Sequence, residues 1–61
     1  MFYTEDLKYR IWVDTVPTDI NYKYEIRLES LENNIWCLKM YIVVGTPPTD
    51  EYLLSKLRRY I

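Results

Sequence analysis

The chain has 61 residues with one cysteine and no histidine, and eight basic against nine acidic side chains leave a formal net charge of −1. A disulfide framework and a histidine-based metal clip are thereby excluded, and near neutrality speaks against a strongly electrostatic nucleic-acid binder. With 49% hydrophobic and 28% charged residues, residues 1–61 form one small folded domain, of a size that buries only about 60% of its unfolded surface and often relies on a partner copy.

Residues 1–6 are expected to form an extension of variable order, with Phe2 and Tyr3 suited to a strand and Thr4, Glu5 and Asp6 to a turn. From Leu7 to Asp14 the residues alternate, Leu7, Tyr9, Ile11 and Val13 against Lys8, Arg10, Trp12 and Asp14, which predicts a half-buried first strand. Pro17 among Thr18, Asp19 and Asn21 predicts a loop over 15–21. A second strand follows over 22–29, with Tyr22, Tyr24, Ile26 and Leu28 on one face and Lys23, Glu25, Arg27 and Glu29 on a solvated one.

A third strand spans Ile35 to Val44 and is apolar on both faces. Its even row is Trp36, Leu38, Met40, Ile42 and Val44, and its odd row is Ile35, Cys37, Lys39, Tyr41 and Val43. The hairpin register is set by which rows must meet. A two-residue Asn33-Asn34 loop would oppose the charged Glu25, Arg27 and Glu29 to Ile42, Met40 and Leu38. A three-residue loop of Glu32, Asn33 and Asn34 pairs Tyr24 with Ile42, Ile26 with Met40 and Leu28 with Leu38, and is preferred.

Gly45 and the Thr46-Pro47-Pro48 segment end the strand, because proline lacks a ladder donor. Thr49 is suited to cap a helix with Asp50 and Glu51 in its first turn, Lys56, Arg58 and Arg59 near its end, and an apolar stripe of Leu53, Leu54, Leu57, Tyr60 and Ile61. That stripe is expected to pack on the even row of the third strand. The fold class is therefore α+β, a three-stranded antiparallel sheet followed by one C-terminal helix (β-β-β-α).

Catalytic equipment is thin. Cys37 has no histidine partner, Glu25 and Glu29 flank Arg27 on a charged row, and Gly45 is the only glycine, so no phosphate-binding loop is present. A non-enzymatic protein without cofactor or metal is expected, soluble and cytoplasmic, since no apolar run reaches the length of a membrane span. Seven tyrosines and two tryptophans exceed what so small a core can use, and such residues favour protein interfaces. The odd row of the third strand, Ile35, Cys37, Tyr41 and Val43, or the edge of that strand, is the expected homodimer interface. Trp12, on the polar row beside Arg10, is the expected partner contact, with burial under the helix or a terminus as the alternative.

The Tyr-rich hairpin, Gly45, the Thr/Pro segment and Thr49-Asp50-Glu51-Tyr52-Leu53-Leu54 resemble the small dimeric bacteriophage inhibitors of uracil-DNA glycosylase, over roughly Tyr24 to the C-terminus. The resemblance implies a homodimer in the host cytoplasm that captures the apolar DNA-binding loop of the glycosylase in a pocket and places acidic residues where DNA phosphates would lie. The family's aromatic-acid pair at the helix start corresponds to Glu51 and Tyr52, in reversed order, which makes them partner-binding candidates. Two other functions suit these residues: a small single-stranded nucleic-acid-binding module using Trp12, the tyrosines and the basic helix, and a structural subunit of a larger assembly.

Overall fold

The computed structural model describes residues 1–60 and consists of a four-stranded antiparallel sheet with one helix on one side. The strands are β1 (Phe2–Tyr3), β2 (Tyr9–Pro17), β3 (Tyr22–Glu32) and β4 (Ile35–Val44), in spatial order β1-β2-β3-β4, followed by α1 (Asp50–Arg58). The α+β class and the C-terminal helix agree with the sequence reading, but the sheet has four strands and not three. The additional strand is the N-terminal extension, where Phe2 pairs with Ile11 and Tyr3 with Arg10.

A tight turn holds that extra strand. Thr4 is buried, its hydroxyl donates to Asp6 Oδ1 at 2.6 Å and accepts the Tyr9 N–H at 3.2 Å, and the Thr4 N–H donates to the Tyr9 carbonyl at 3.0 Å. Leu7, expected to open the first strand, instead sits in this turn at φ 58°, exposed to solvent. At the other end of β2, the strand runs on to Pro17, whose partner is Tyr22, and the loop shrinks to residues 18–21. Proline is tolerated there because β1 is too short to reach it, leaving Pro17 at an open sheet edge.

The β3–β4 hairpin corrects the expected register. Asn33 (φ 53°) and Asn34 (φ 66°) alone form the turn, with Glu32 opposite Ile35. Two consecutive left-handed residues match the twist of a two-residue hairpin, and asparagine bears that conformation better than most side chains. The clash of charged and core rows that this turn would create is removed by a register shift between Leu28 and Glu29. Leu38 opposes Glu29 while Met40 opposes Leu28, so Lys39 is the extra residue of a β-bulge. Beyond it Ile26 faces Ile42 and Tyr24 faces Val44, each two residues away from the expected partner.

The bulge also splits both rows of β4. Opposite residues in an antiparallel pair share a face, so Met40, Ile42 and Val44 lie with Leu28, Ile26 and Tyr24 on the helix side, whereas Trp36 and Leu38 turn to the other side. The core is made by Ile11, Ile26, Leu28, Leu53 and Leu57, with Phe2, Tyr9, Val13, Met40, Ile42 and Val44 packed around it.

The helix begins as expected, with the Thr49 side chain accepting the Tyr52 N–H at 3.1 Å. Its closest backbone approach is to β2 and β1, not to β4. The reason lies in the sheet order: the fully buried side chains Ile11, Ile26 and Leu28 belong to the central strands β2 and β3, and a helix leaving the β4 edge reaches them by crossing the sheet. Leu53 and Leu57 are buried, and Tyr60 ends beside Tyr9 with ring centroids 5.4 Å apart. Ile61, assigned to the apolar stripe, lies outside the described residues. Among the described residues no helix is long and apolar enough to cross a membrane.

Candidate functional site

One sheet face carries the core and helix; the other has no second layer among the described residues. Tyr3, Arg10, Trp12, Asp14, Lys23, Glu25, Arg27, Glu29, Trp36, Leu38, Tyr41 and Val43 project from this outer face, as the pairings of Tyr3 with Arg10, Arg10 with Glu29, Trp12 with Arg27, and Arg27 with Tyr41 require. The expected solvated charged row is in fact closely packed. The side chains of Glu25 and Glu29 are only 12% and 13% exposed.

A continuous ladder of cations, rings and carboxylates accounts for that shielding. Tyr3 meets Trp36 edge-on at 6.1 Å, and the Arg10 guanidinium lies 4.2 Å from the Trp36 ring. Arg10 Nε and Trp12 Nε1 both donate to Glu29 Oε1 at 2.7 Å. Arg27 then lies 5.1 Å from the Trp12 ring and 5.3 Å from the Tyr41 ring, and its Nη2 donates to Glu25 Oε1 at 2.7 Å. Arg27 Nη1 is shielded and makes no hydrogen bond among the described residues, with Asp14 at 3.7 Å as its ionic neighbour. Guanidinium groups stack on aromatic faces and satisfy carboxylates at their edges, so one arginine can join both kinds of neighbour.

The electrostatics follow from those contacts. The Tyr41 hydroxyl, then Arg27 and Lys23, hold the Glu25 carboxyl below its ordinary range, and the same Glu25 holds the Tyr41 phenol above its own. Arg10, Lys23 and Arg27 are balanced by Asp14, Glu25 and Glu29, leaving a neutral face whose cations are already engaged. Exposed apolar bodies project around this ladder, with Tyr3, Tyr41 and Val43 each 47% exposed and Leu38 more so.

The residues expected to form the dimer interface do not form one surface. Tyr41 and Val43 lie on the outer face, while Cys37 and Ile35 lie opposite Ser30 and Glu32 on the helix side. The bulge at Lys39 separates the two pairs. Lys39 itself binds Glu32 at 2.8 Å, and that contact, together with the Ser30 hydroxyl, holds the Glu32 carboxyl below its usual range.

Trp12 sits at the centre of the outer face, where among the described residues it is covered neither by the helix nor by a terminus but by Arg27 and Glu29. Glu51 and Tyr52 are elsewhere, exposed on the first turn of α1. Tyr52 lines an open apolar groove with Val44, Thr46, Pro48 and Thr49, and Lys56 Nζ stands 5.2 Å from its ring. Two surfaces are therefore on offer, and Trp12 and Tyr52 belong to different ones.

Sequence reading missed Tyr3, Arg10, Arg27, Glu25, Glu29 and Trp36 as members of one network. The signal was present in part: once β2 and β3 are placed antiparallel, Arg10 falls opposite Glu29 and Trp12 opposite Arg27. Trp36 joins only through the bulge. No family model matches this chain, and no match is found among curated proteins or solved structures.

Proposed function

We propose that the protein is a small non-enzymatic binding protein that pairs with a second copy of itself through the outer sheet face and inhibits a protein target. The observation that carries this reading is the uncovered outer face, rich in Tyr, Trp and Arg, whose charges are balanced within the face. A face of net charge would repel its own copy; a neutral one bearing both signs can pair with itself about a two-fold axis. Tyr, Trp and Arg are the side chains that most often dominate binding energy.

In this reading Tyr41 and Val43 contact the second copy, Trp12 supports the same surface, and Glu51 and Tyr52 remain free for the target. The target class is the one implied by the resemblance, a uracil-DNA glycosylase held through its apolar DNA-binding loop. The groove beside Tyr52 supports that assignment, being apolar and open. The engaged state of Arg10 and Arg27 favours a protein partner over single-stranded nucleic acid, because phosphate binding draws on free cations.

Two measurements test the proposal. Sedimentation equilibrium at tens of micromolar should give twice the chain mass for the natural sequence and a shift toward monomer for Val43→Asp; a monomer throughout overturns the dimer. Uracil excision by a bacterial glycosylase should stop on stoichiometric addition of the protein and recover with Tyr52→Ala. Unimpaired excision at large excess removes the glycosylase as target.

A further inference from the structure

A sheet edge presents unpaired backbone donors and acceptors, and folded chains blunt their edges with short strands, charges, bulges or proline. At the β1 edge those devices are present: β1 has only two residues, and the stretch of β2 beyond it carries Asp14 and ends in Pro17. On β4, the other edge, they stop halfway. The first part of that strand is interrupted by the bulge at Lys39, whereas Met40, Tyr41, Ile42, Val43 and Val44 form a regular, uncharged run without bulge or proline, and no strand lies beyond it among the described residues.

The direction of the backbone groups on that run follows from the ladder. In an antiparallel sheet the N–H and C=O of one residue point to the same side, and successive residues alternate between the two neighbouring strands. The Leu31 N–H donates to the Lys8 carbonyl at 2.7 Å, so Leu31 faces the β2 side. Because the β2–β3 register is unbroken, Glu25, Arg27 and Glu29 face β2 as well, while Tyr24, Ile26 and Leu28 face β4, where they meet Val44, Ile42 and Met40. The N–H and C=O groups of Tyr41 and Val43 therefore point away from the sheet. Beside the same end of the strand, on the helix side, Val44, Thr46, Pro48, Thr49 and Tyr52 line the open apolar groove, of about 240 Å³.

Two outward-facing residues at ladder spacing are complementary to another extended backbone. A residue opposite Val44 on an added strand shares the face of Val44, so its side chain falls at the groove. We infer that the Met40–Val44 edge takes an extended apolar segment of a protein partner as a fifth strand, hydrogen-bonded to Tyr41 and Val43, with one apolar side chain seated in the groove beside Tyr52. The inference rests on the proposed reading in that this groove is the one assigned to the target, and it adds the conformation in which the target's segment is held. In that reading a second copy is already engaged at the outer face, and copies paired through their outer faces leave both edges free for a partner.

The test follows amide hydrogen exchange of the full chain by NMR while it is titrated with the peptide acetyl-Ser-Thr-Val-Leu-Val-Thr-Ser-amide, and with the same peptide N-methylated at its central Val-Leu-Val. Exchange at Tyr41 and Val43 should slow roughly tenfold when the free peptide stands at ten times its dissociation constant, while Ile42 and Val44, already bonded to β3, change little. The methylated peptide, which lacks the donors, should protect neither residue. Val43→Pro removes an outward donor and leaves the β3 ladder intact, so it should abolish the protection of Tyr41 while the rest of the amide spectrum is kept. Tyr52→Ala should weaken the peptide roughly two- to tenfold, the loss of one aromatic contact. No protection at Tyr41 and Val43, or equal protection by the methylated peptide, overturns the inference. Protection already present in the free chain and growing with its concentration also overturns it, and assigns the edge to a second copy. The target reading fails separately: uracil excision untouched by a chain that still binds the peptide removes the glycosylase and leaves the edge assignment standing.

Discussion

Glu29 is the hub of the outer face, and its removal measures how much the ladder contributes to the fold. Glu29→Ala abolishes two hydrogen bonds of 2.7 Å, from Arg10 Nε and Trp12 Nε1, and leaves an arginine whose side chain is only 22% exposed without its counter-charge. A hydrogen bond to a charged group contributes about 1.5–3 kcal/mol, more when its loss strands a shielded partner. Partial solvent access and the freedom of Arg10 to swing outward reduce the sum, so the expected loss is about 2–4 kcal/mol. For a chain of 61 residues total stability is roughly 3–9 kcal/mol, so the variant loses about half. Urea unfolding followed by tryptophan fluorescence reads this directly, with Trp12 itself the reporter. A double-mutant cycle with Arg10→Met isolates the pair and should give a coupling near 1–2 kcal/mol. A loss below about 0.5 kcal/mol, or a coupling near zero, would refute the ladder as a stabilising element and return Glu29 to an ordinary surface charge.

Deleting Lys39 should leave a folded protein, because removal of the bulge residue makes the β3–β4 ladder regular with Leu38 and Met40 on their present faces; deleting Tyr41 should abolish folding by turning Ile42 outward. Near-ultraviolet circular dichroism distinguishes the two. Leu7→Asn should raise the urea midpoint, since the exposed leucine is held at φ 58° and relief of that conformation is worth up to about 1 kcal/mol. Thr49→Ala should cost about 1 kcal/mol in the same assay by removing the cap on the Tyr52 N–H. The Glu25 carboxyl is lower in the folded than in the unfolded chain, so its stabilisation is fully present above its unfolded value of about 4.5 and is lost as pH falls through the lower, folded value. Glu25→Gln should therefore flatten the acid limb of the stability curve, and an unchanged limb would contradict the assigned contacts.

Local chemistry made the elements readable. Ile35–Val44 is a strand from its composition, Thr49 caps a helix because its side chain and the following acids suit the exposed N–H groups, and the alternation of Tyr22 to Leu28 separates two faces without reference to any other part of the chain. Phe2 and Tyr3 were ambiguous because two residues carry no periodicity; what makes them a strand is the buried Thr4 and its bonds to Asp6 and Tyr9.

The choice of neighbours belongs to the tertiary structure. Sequence alone limited the hairpin to turns that keep charged and apolar rows apart, and a regular ladder then favoured three loop residues. The folded chain keeps the better turn, Asn33-Asn34, and absorbs the mismatch at Lys39, an arrangement that depends on both strands together. That one inserted residue sends Trp36 to the outer face, where Arg10 and Tyr3 meet it across the sheet. Alternation along a strand is a property of one segment, so the sequence determined it; a bulge, a register and a ladder spanning four strands are properties of pairs of segments, and only their packing decided them.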